Sequence, residues 1–268
     1  MINVCVAGAT GWTGRAVTEA VLDASDMELV GAVSRQGAGQ DIGTLLGREA
    51  CGVLCTASVS DMLDNTPSDV LIDYTHPTVV MDHTREAVGR GIGVIVGTSG
   101  LVNEDFKKID AYAREQNVGV VASGNFAITA ALLNHFALIA ARYIDHFEII
   151  DYAKSAKPDA PSGTARELAE RLGDVKKPQI DWPVDDIIGP SELRGGSING
   201  VQVHAVRLPS YAASVDAIFT VPGSRLVIKH DAGMDASIYA DGTLLAARKV
   251  SGITGLCRGL DSLLFGTS

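Results

Sequence analysis

The segment INVCVAGATGWTGRAVTEAVLDASDMELVGAVS, residues 2–34, constrains the fold more than any other. A six-residue apolar run enters a turn containing three glycines. Apolar residues at helical spacing follow, and then a second apolar run. Strand, turn, helix and strand within about 33 residues make a βαβ unit.

The same rhythm continues. Strand-like runs at 69–75 (DVLIDYT), 93–98 (GVIVGT) and 118–123 (VGVVAS) are separated by helical stretches at 79–91 and 103–117. Such alternation predicts a parallel sheet with helices on both faces. From about residue 125 it stops. A long helical pattern (128–144), a strand (146–153), a helix (165–172) and a Pro/Gly-rich stretch (176–200) precede three strand-like runs in neighbouring order, which predict an antiparallel or mixed sheet. A second domain is therefore expected to start near residue 126. Residues 241–266 read as two helical pieces whose domain periodicity does not decide.

Composition agrees with an α/β chain: 46% hydrophobic, 20% charged, 29 glycines and only 5% aromatic residues. A net charge of -10 repels polyphosphate and anionic lipid, so neither nucleic acid nor membrane is expected as a partner, although a small anion could bind at a local cationic spot. The chain enters a strand at once and has no run of 18 apolar residues, so a soluble, cytoplasmic protein is expected. The four cysteines are scattered and read as reduced thiols, and no cysteine or histidine spacing suits a metal. His204 and His230 lie in strand-like runs and could face a site, but a strand histidine with a satisfied hydrogen bond is the plainer reading.

The glycine turn G-x-x-G-x-x-G places Gly8, Gly11 and Gly14 between strand and helix, where a dinucleotide pyrophosphate could lie against backbone N–H groups at the positive helix end. Gly8, Ala9, Thr10, Gly11, Trp12 and Thr13 are the candidate cofactor residues. Thr10 stands where the commoner fingerprint has its second glycine, so a purely structural turn remains an alternative. At the end of the next strand Ser34 and Arg35 replace the acid that would bind a ribose 2′-hydroxyl; they suit a 2′-phosphate, which predicts NADPH over NADH, with NADH still possible. The loops VGTSG and SGNF follow strands, which places Gly97, Thr98, Ser99, Ser123, Gly124, Asn125 and Phe126 around a nicotinamide and its ribose. An extended short-chain dehydrogenase would share GATGWTG, but no tyrosine here has a lysine four residues later.

The stretch DYAKSAKPDAPSGTA (151–165) ends in a helix start, with Thr164 and Glu167 at capping-box spacing. Gly163 leaves its N–H approachable, the helix end is electropositive, and Lys154 and Lys157 precede it. These residues could hold a carboxylate. A capped surface helix with solvated lysines is the plain alternative.

Together, VAGATGWTGRAV, DIGTLLG, VLIDYTHP, GTSG, GNF, EIIDYAKSAKPDAPSGTA, SRLVIKHDA and YADGTLLAARKV resemble the dihydrodipicolinate reductase family over essentially the whole chain. The resemblance implies a Rossmann domain at 1–125 with a return at 236–268, and an α+β substrate and oligomerisation domain at 126–235, assembled as a homotetramer. It also implies hydride transfer from NAD(P)H to a C=N or conjugated C=C bond of a small dicarboxylate. In the family motif E-x-H-H-x-x-K-x-D-A-P-S-G-T-A, the first histidine and the lysine are the proposed acid pair, and the second histidine and the G-T pair bind substrate. Here the lysine is Lys157 and the G-T pair is Gly163 and Thr164, while Ala153 and Lys154 stand at the histidine positions. Lys157 is thus the candidate proton donor, with Lys154 close by easing its proton release, and Lys154, Gly163 and Thr164 are the candidate substrate contacts. Reduction of another cyclic imine or unsaturated acid, or NADPH and carboxylate binding without turnover, are the alternatives that Ala153 opens.

Overall fold

The structure, a computed structural model, describes residues 1–266; the last two residues of the expected 236–268 return lie outside the described residues. It divides into two compact units, Met1–Ile128 with Ala236–Ser268, and Thr129–Asp235.

The first unit alternates strands and helices: β1 (Ile2–Ala7), α1 (Trp12–Asp23), β2 (Met27–Val33), α2 (Ile42–Leu45), β3 (Cys55–Thr56), α3 (Val59–Asn65), β4 (Val70–Asp73), α4 (Val80–Gly89), β5 (Gly93–Val96), α5 (Asn103–Glu115) and β6 (Gly119–Ala122). Seven strands, these six and β12 (Gly255–Arg258) from the end of the chain, pair in the order β12-β6-β5-β4-β1-β2-β3, and every pairing is parallel. Every residue of β4, β5 and β6 is buried, as expected of strands covered on both faces. Leu71, Val94 and Val120 pack with Ile109 and Ala113 of α5 in one apolar cluster. The strand order reverses between β1 and β4, where a doubly wound sheet opens its ligand crevice.

The second unit holds α6 (Ile128–Tyr143, whose first residue belongs to the first unit), β7 (His146–Ala153), α7 (Gly163–Val175), β8 (Gly196–Ile198), β9 (Val201–Arg207), β10 (Ala213–Val221) and β11 (Ser224–Ala232). Its sheet, ordered β11-β10-β7-β9-β8, is mixed, with β7 and β9 parallel and the other pairs antiparallel. Residues of β7 alternate strictly: Phe147, Ile149, Asp151 and Ala153 are buried. Phe147 and Ile149 belong to an apolar cluster with Leu133 and Ala137 of α6 and Leu168 and Leu172 of α7. The other face carries Glu148, Ile150, Tyr152, Asp216 and Ile218, all half-buried. A cavity of about 630 Å³ opens there between strand residues such as Ile150 and His204 and the loop residues Ile180 and Trp182.

The chain then returns to the first unit through α8 (Ala240–Lys249), β12 (Gly255–Arg258) and α9 (Leu260–Phe265). Beyond the two expected helical pieces, β12 adds a strand beside β6. Its four residues GLCR, with Gly255 at φ +87°, carry no alternation that would reveal it. Among the described residues no helix is long and apolar enough to cross a membrane. Cys5 and Cys55 are free, buried thiols, and Cys51 is a free, exposed one.

Candidate functional site

In the first unit the glycine turn meets the end of β4. Gly8 has φ +80°, and a Cβ on it would lie 2.3 Å from the Tyr74 carbonyl oxygen. A Cβ on Gly14 would lie 2.0 Å from the Gly8 oxygen. Glycine is thus required at both positions, by backbone conformation at the first and by helix-to-turn packing at the second. The N–H groups of Gly8 and Ala9 both donate to Val33 O, at 3.0 and 3.1 Å, and Gly11 N donates to Gly8 O at 2.9 Å. These residues shape the turn, whereas Thr10, Gly11 and Trp12 are exposed and Thr13 lies in the first turn of α1. Trp12 meets the Tyr239 ring edge-on at 5.9 Å.

Ser34 is buried, with its hydroxyl 2.7 Å from Thr10 Oγ1 and accepting from Gly37 N at 3.2 Å; Arg35 beside it is exposed. The Tyr74 ring occupies the space a Cβ on Gly97 would need, at 2.1 Å, and its hydroxyl lies 2.7 Å from Thr243 Oγ1. Burial pushes the Tyr74 phenol upward, with the Thr243 hydrogen bond opposing. Phe126, expected near a nicotinamide, is buried and packs edge-on against Tyr74 at 6.3 Å, so its ring is core. Ser123 Oγ donates to Asn125 O at 2.9 Å, and Asn125 Oδ1 accepts from Ala127 N at 2.8 Å, so both side chains brace their own loop. Ser99 and Gly124 are exposed, and Thr98 turns its hydroxyl to Asp73.

In the second unit the cap of α7 is Ser162, accepting from Ala165 N at 3.4 Å, rather than Thr164, which lies inside the first turn beside Gly163. The shift has a cause. Asp151, fully buried on the inward face of β7, accepts from Ser162 N at 2.8 Å and from Ser162 Oγ at 2.6 Å, which fixes Ser162 where the helix begins. Asp151 also accepts from Arg207 at 2.8 Å, and Arg207 in turn donates to Asp159 O at 2.8 Å. Strand β7, helix α7 and the intervening loop are thereby joined at one carboxylate. Neither Asp151 nor Arg207 was singled out from sequence; the available signal was an acid in the inward register of an alternating strand.

Lys157 Nζ lies 2.8 Å from Asp159 Oδ1. The charge facing it is therefore an acid, whereas Lys154, expected to act on it, is exposed and bonds it only through a turn, Lys157 N to Lys154 O at 3.0 Å. Ala153 ends β7 as a buried methyl group. Of the strand histidines, His204 Nε2 lies 2.8 Å from Glu148 Oε2 on the cavity side. His230 is buried with Nδ1 3.1 Å from Thr129 Oγ1, and burial lowers its pKa, with Asp231 opposing. The 630 Å³ cavity contains none of Lys154, Lys157, Gly163 or Thr164.

The first unit is suited to a dinucleotide: an exposed turn at the switch point, glycines where a Cβ would clash, and a serine and arginine at the end of β2. Comparison with known proteins places both units. Residues 2–126 match the family described as dihydrodipicolinate reductase, N-terminus, and residues 129–264 match its C-terminus. The chain is 37% identical to the 4-hydroxy-tetrahydrodipicolinate reductase of Desulfitobacterium hafniense over 98% of both chains. It is 38% identical to that of Synechococcus elongatus, again over 98% of both. A solved dipicolinate-bound dihydrodipicolinate reductase from Paenisporosarcina sp. TG-14 superposes with a TM-score of 0.77 at 28% identity, covering 98% of this chain and 99% of that one. With both halves matched and the relatives covered end to end, the chain belongs to the dihydrodipicolinate reductase family.

Proposed function

We propose that the protein is an NAD(P)H-dependent reductase that adds hydride to a C=N or conjugated C=C bond of a small dicarboxylate of the dihydrodipicolinate type, in lysine biosynthesis. The observation that carries this reading is the KPDAPSGTA segment, which sets Lys157 before the first turn of α7 in a chain matched throughout to reductases. The bound dinucleotide supplies the hydride. The glycine turn and the loops after β5 and β6 bind it, and Ser34 with Arg35 favours a 2′-phosphate, so NADPH is preferred and NADH accepted. In the second unit the positive end of α7, with Gly163 and Thr164, and Lys154 hold a substrate carboxylate. Lys157 delivers the proton that balances the hydride, because Ala153 offers none.

The test is purified protein with dihydrodipicolinate and a panel of cyclic imines, followed at the nicotinamide absorbance. Oxidation of NADPH with a lower KM than NADH is expected. Tight NADPH binding without oxidation by any panel member would overturn the enzyme reading and leave a binding protein, and turnover of another cyclic imine alone would reassign the substrate.

The same reading includes a cytoplasmic homotetramer assembled through the second-unit sheets. The half-buried Ile150 and Ile218, with exposed Val227 on the neighbouring strand, support it as a partly apolar face. Light scattering is expected to give four times 28.0 kDa, falling on Ile218→Asp; a monomer mass for the unaltered protein would refute the assembly.

A further inference from the structure

Asp73 closes β4 with its side chain fully buried, and its two oxygens serve different neighbours. Oδ2 lies 2.7 Å from Nδ1 of His83 in α4. Oδ1 lies 2.6 Å from Thr75 Oγ1, 2.7 Å from Thr98 Oγ1 and 2.9 Å from Thr75 N. Thr75 N also donates to Thr98 Oγ1 at 2.8 Å. One carboxylate thus ties together the strand end, α4 and the loop after β5.

Burial alone would raise the Asp73 carboxyl, but hydrogen bonds from His83, Thr75 and Thr98 outweigh it and hold the group below the ordinary range. At neutral pH it is a carboxylate, which only accepts. Each threonine hydroxyl has one proton and two lone pairs, so both protons are committed to Asp73. What Thr75 and Thr98, both half-buried, keep for a ligand is acceptor capacity. They lie just past the carboxyl ends of β4 and β5, and Thr75 lies against the glycine turn: a Cβ on Gly8 would lie 3.4 Å from Thr75 N.

We propose that Asp73, backed by His83, is a positioning residue that sets the Thr75 and Thr98 hydroxyls as hydrogen-bond acceptors for the amide N–H of the nicotinamide carboxamide. The inference rests on the reading of this strand edge as the cofactor edge. A neutral partner at position 73 could donate as well as accept, and would free a threonine proton to turn outward, where it would repel that amide.

The test compares NADPH with its reduced 3-acetylpyridine analogue, which keeps the ring carbonyl but carries a methyl group in place of the amide nitrogen. Dissociation constants for both nucleotides come from titration calorimetry. The unaltered protein is expected to favour NADPH by about tenfold, the worth of about one net hydrogen bond. Asp73→Asn is expected to shrink that preference to about twofold, with His83→Gln in between. Thr98→Val and Thr75→Val, each removing one hydroxyl, should shrink it as well, and they carry the test if Asp73→Asn does not fold. If Asp73 only holds the fold together, the variants weaken both nucleotides alike and the tenfold ratio persists, which overturns the proposal. Equal affinity of the unaltered protein for the two nucleotides overturns it too. Failure of the unaltered protein to bind NADPH at all would instead remove the cofactor reading on which the proposal stands.

Discussion

Replacing Lys157 with alanine is expected to lower kcat by about 10² to 10⁴, the usual worth of a positioned proton donor, while NADPH affinity measured by fluorescence stays unchanged. The expectation follows from what surrounds the residue. Ala153 ends β7 as a buried methyl group, and of the expected acid pair only Lys157, ahead of the first turn of α7, still carries a proton to give. Lys157→Arg separates two roles, because guanidinium keeps the charge but does not release its proton at these pH values. If Lys157 only neutralises a substrate carboxylate, arginine restores most of the rate. If it donates the proton, arginine restores KM and leaves kcat low. An unchanged kcat in Lys157→Ala would remove the residue from the chemistry.

The second large effect is on stability. Asp151→Ala removes the acceptor of Ser162 N, Ser162 Oγ and Arg207 at once. The guanidinium left behind is mostly buried, its side chain 17% exposed. Breaking such a pair from one side costs on the order of 3–5 kcal/mol, enough to lower the unfolding midpoint by about 10 °C. The substrate KM should rise as well, because Ser162 loses the group that fixes it at the helix start. Removing both partners, as Asp151→Leu with Arg207→Met, should cost less than Asp151→Ala alone, since no unpaired charge remains buried. A midpoint for Asp151→Ala within about 2 °C of the unaltered protein would show that the pair contributes nothing net.

Most of the fold was legible because its signals are local. The buried strands β4, β5 and β6 read as apolar runs between helical periods, and β7 with α6 shows two periodicities side by side. The strands that escaped are short: β3 has two residues, β8 three, and β12 four including a glycine with positive φ. Partners distant in sequence define β3 and β12, which no local pattern encodes, and β8, although it pairs with the adjacent β9, is too short to show a period.

The candidate site was legible as motifs, but its supports were not. GATGWTG and KPDAPSGTA could be quoted from sequence, whereas Asp73 and Asp151 act through partners that the chain brings from elsewhere: Thr98 is 25 residues from Asp73, and Arg207 is 56 residues from Asp151. The capping box at Thr164 and Glu167 misled for the same reason, since Asp151 draws the cap back to Ser162. Lys154, three residues before Lys157, likewise suggested that a like charge eases proton release from Lys157, but the ion pair to Asp159 gives Lys157 an opposite neighbour.

The return of the chain through β12 bears on how the protein is made. Gly255–Arg258 pairs with Gly119–Ala122, so the first sheet is complete only after every residue of the inserted second unit has been synthesised. At about 5–20 residues per second, the interval between the two strands is on the order of ten seconds. Throughout it β6 is an open edge, with Val120 and Val121 lacking the strand that will cover them. During synthesis the inserted unit therefore has time to fold first, and a chain stopped before residue 255 leaves the ribosome with an adhesive sheet edge.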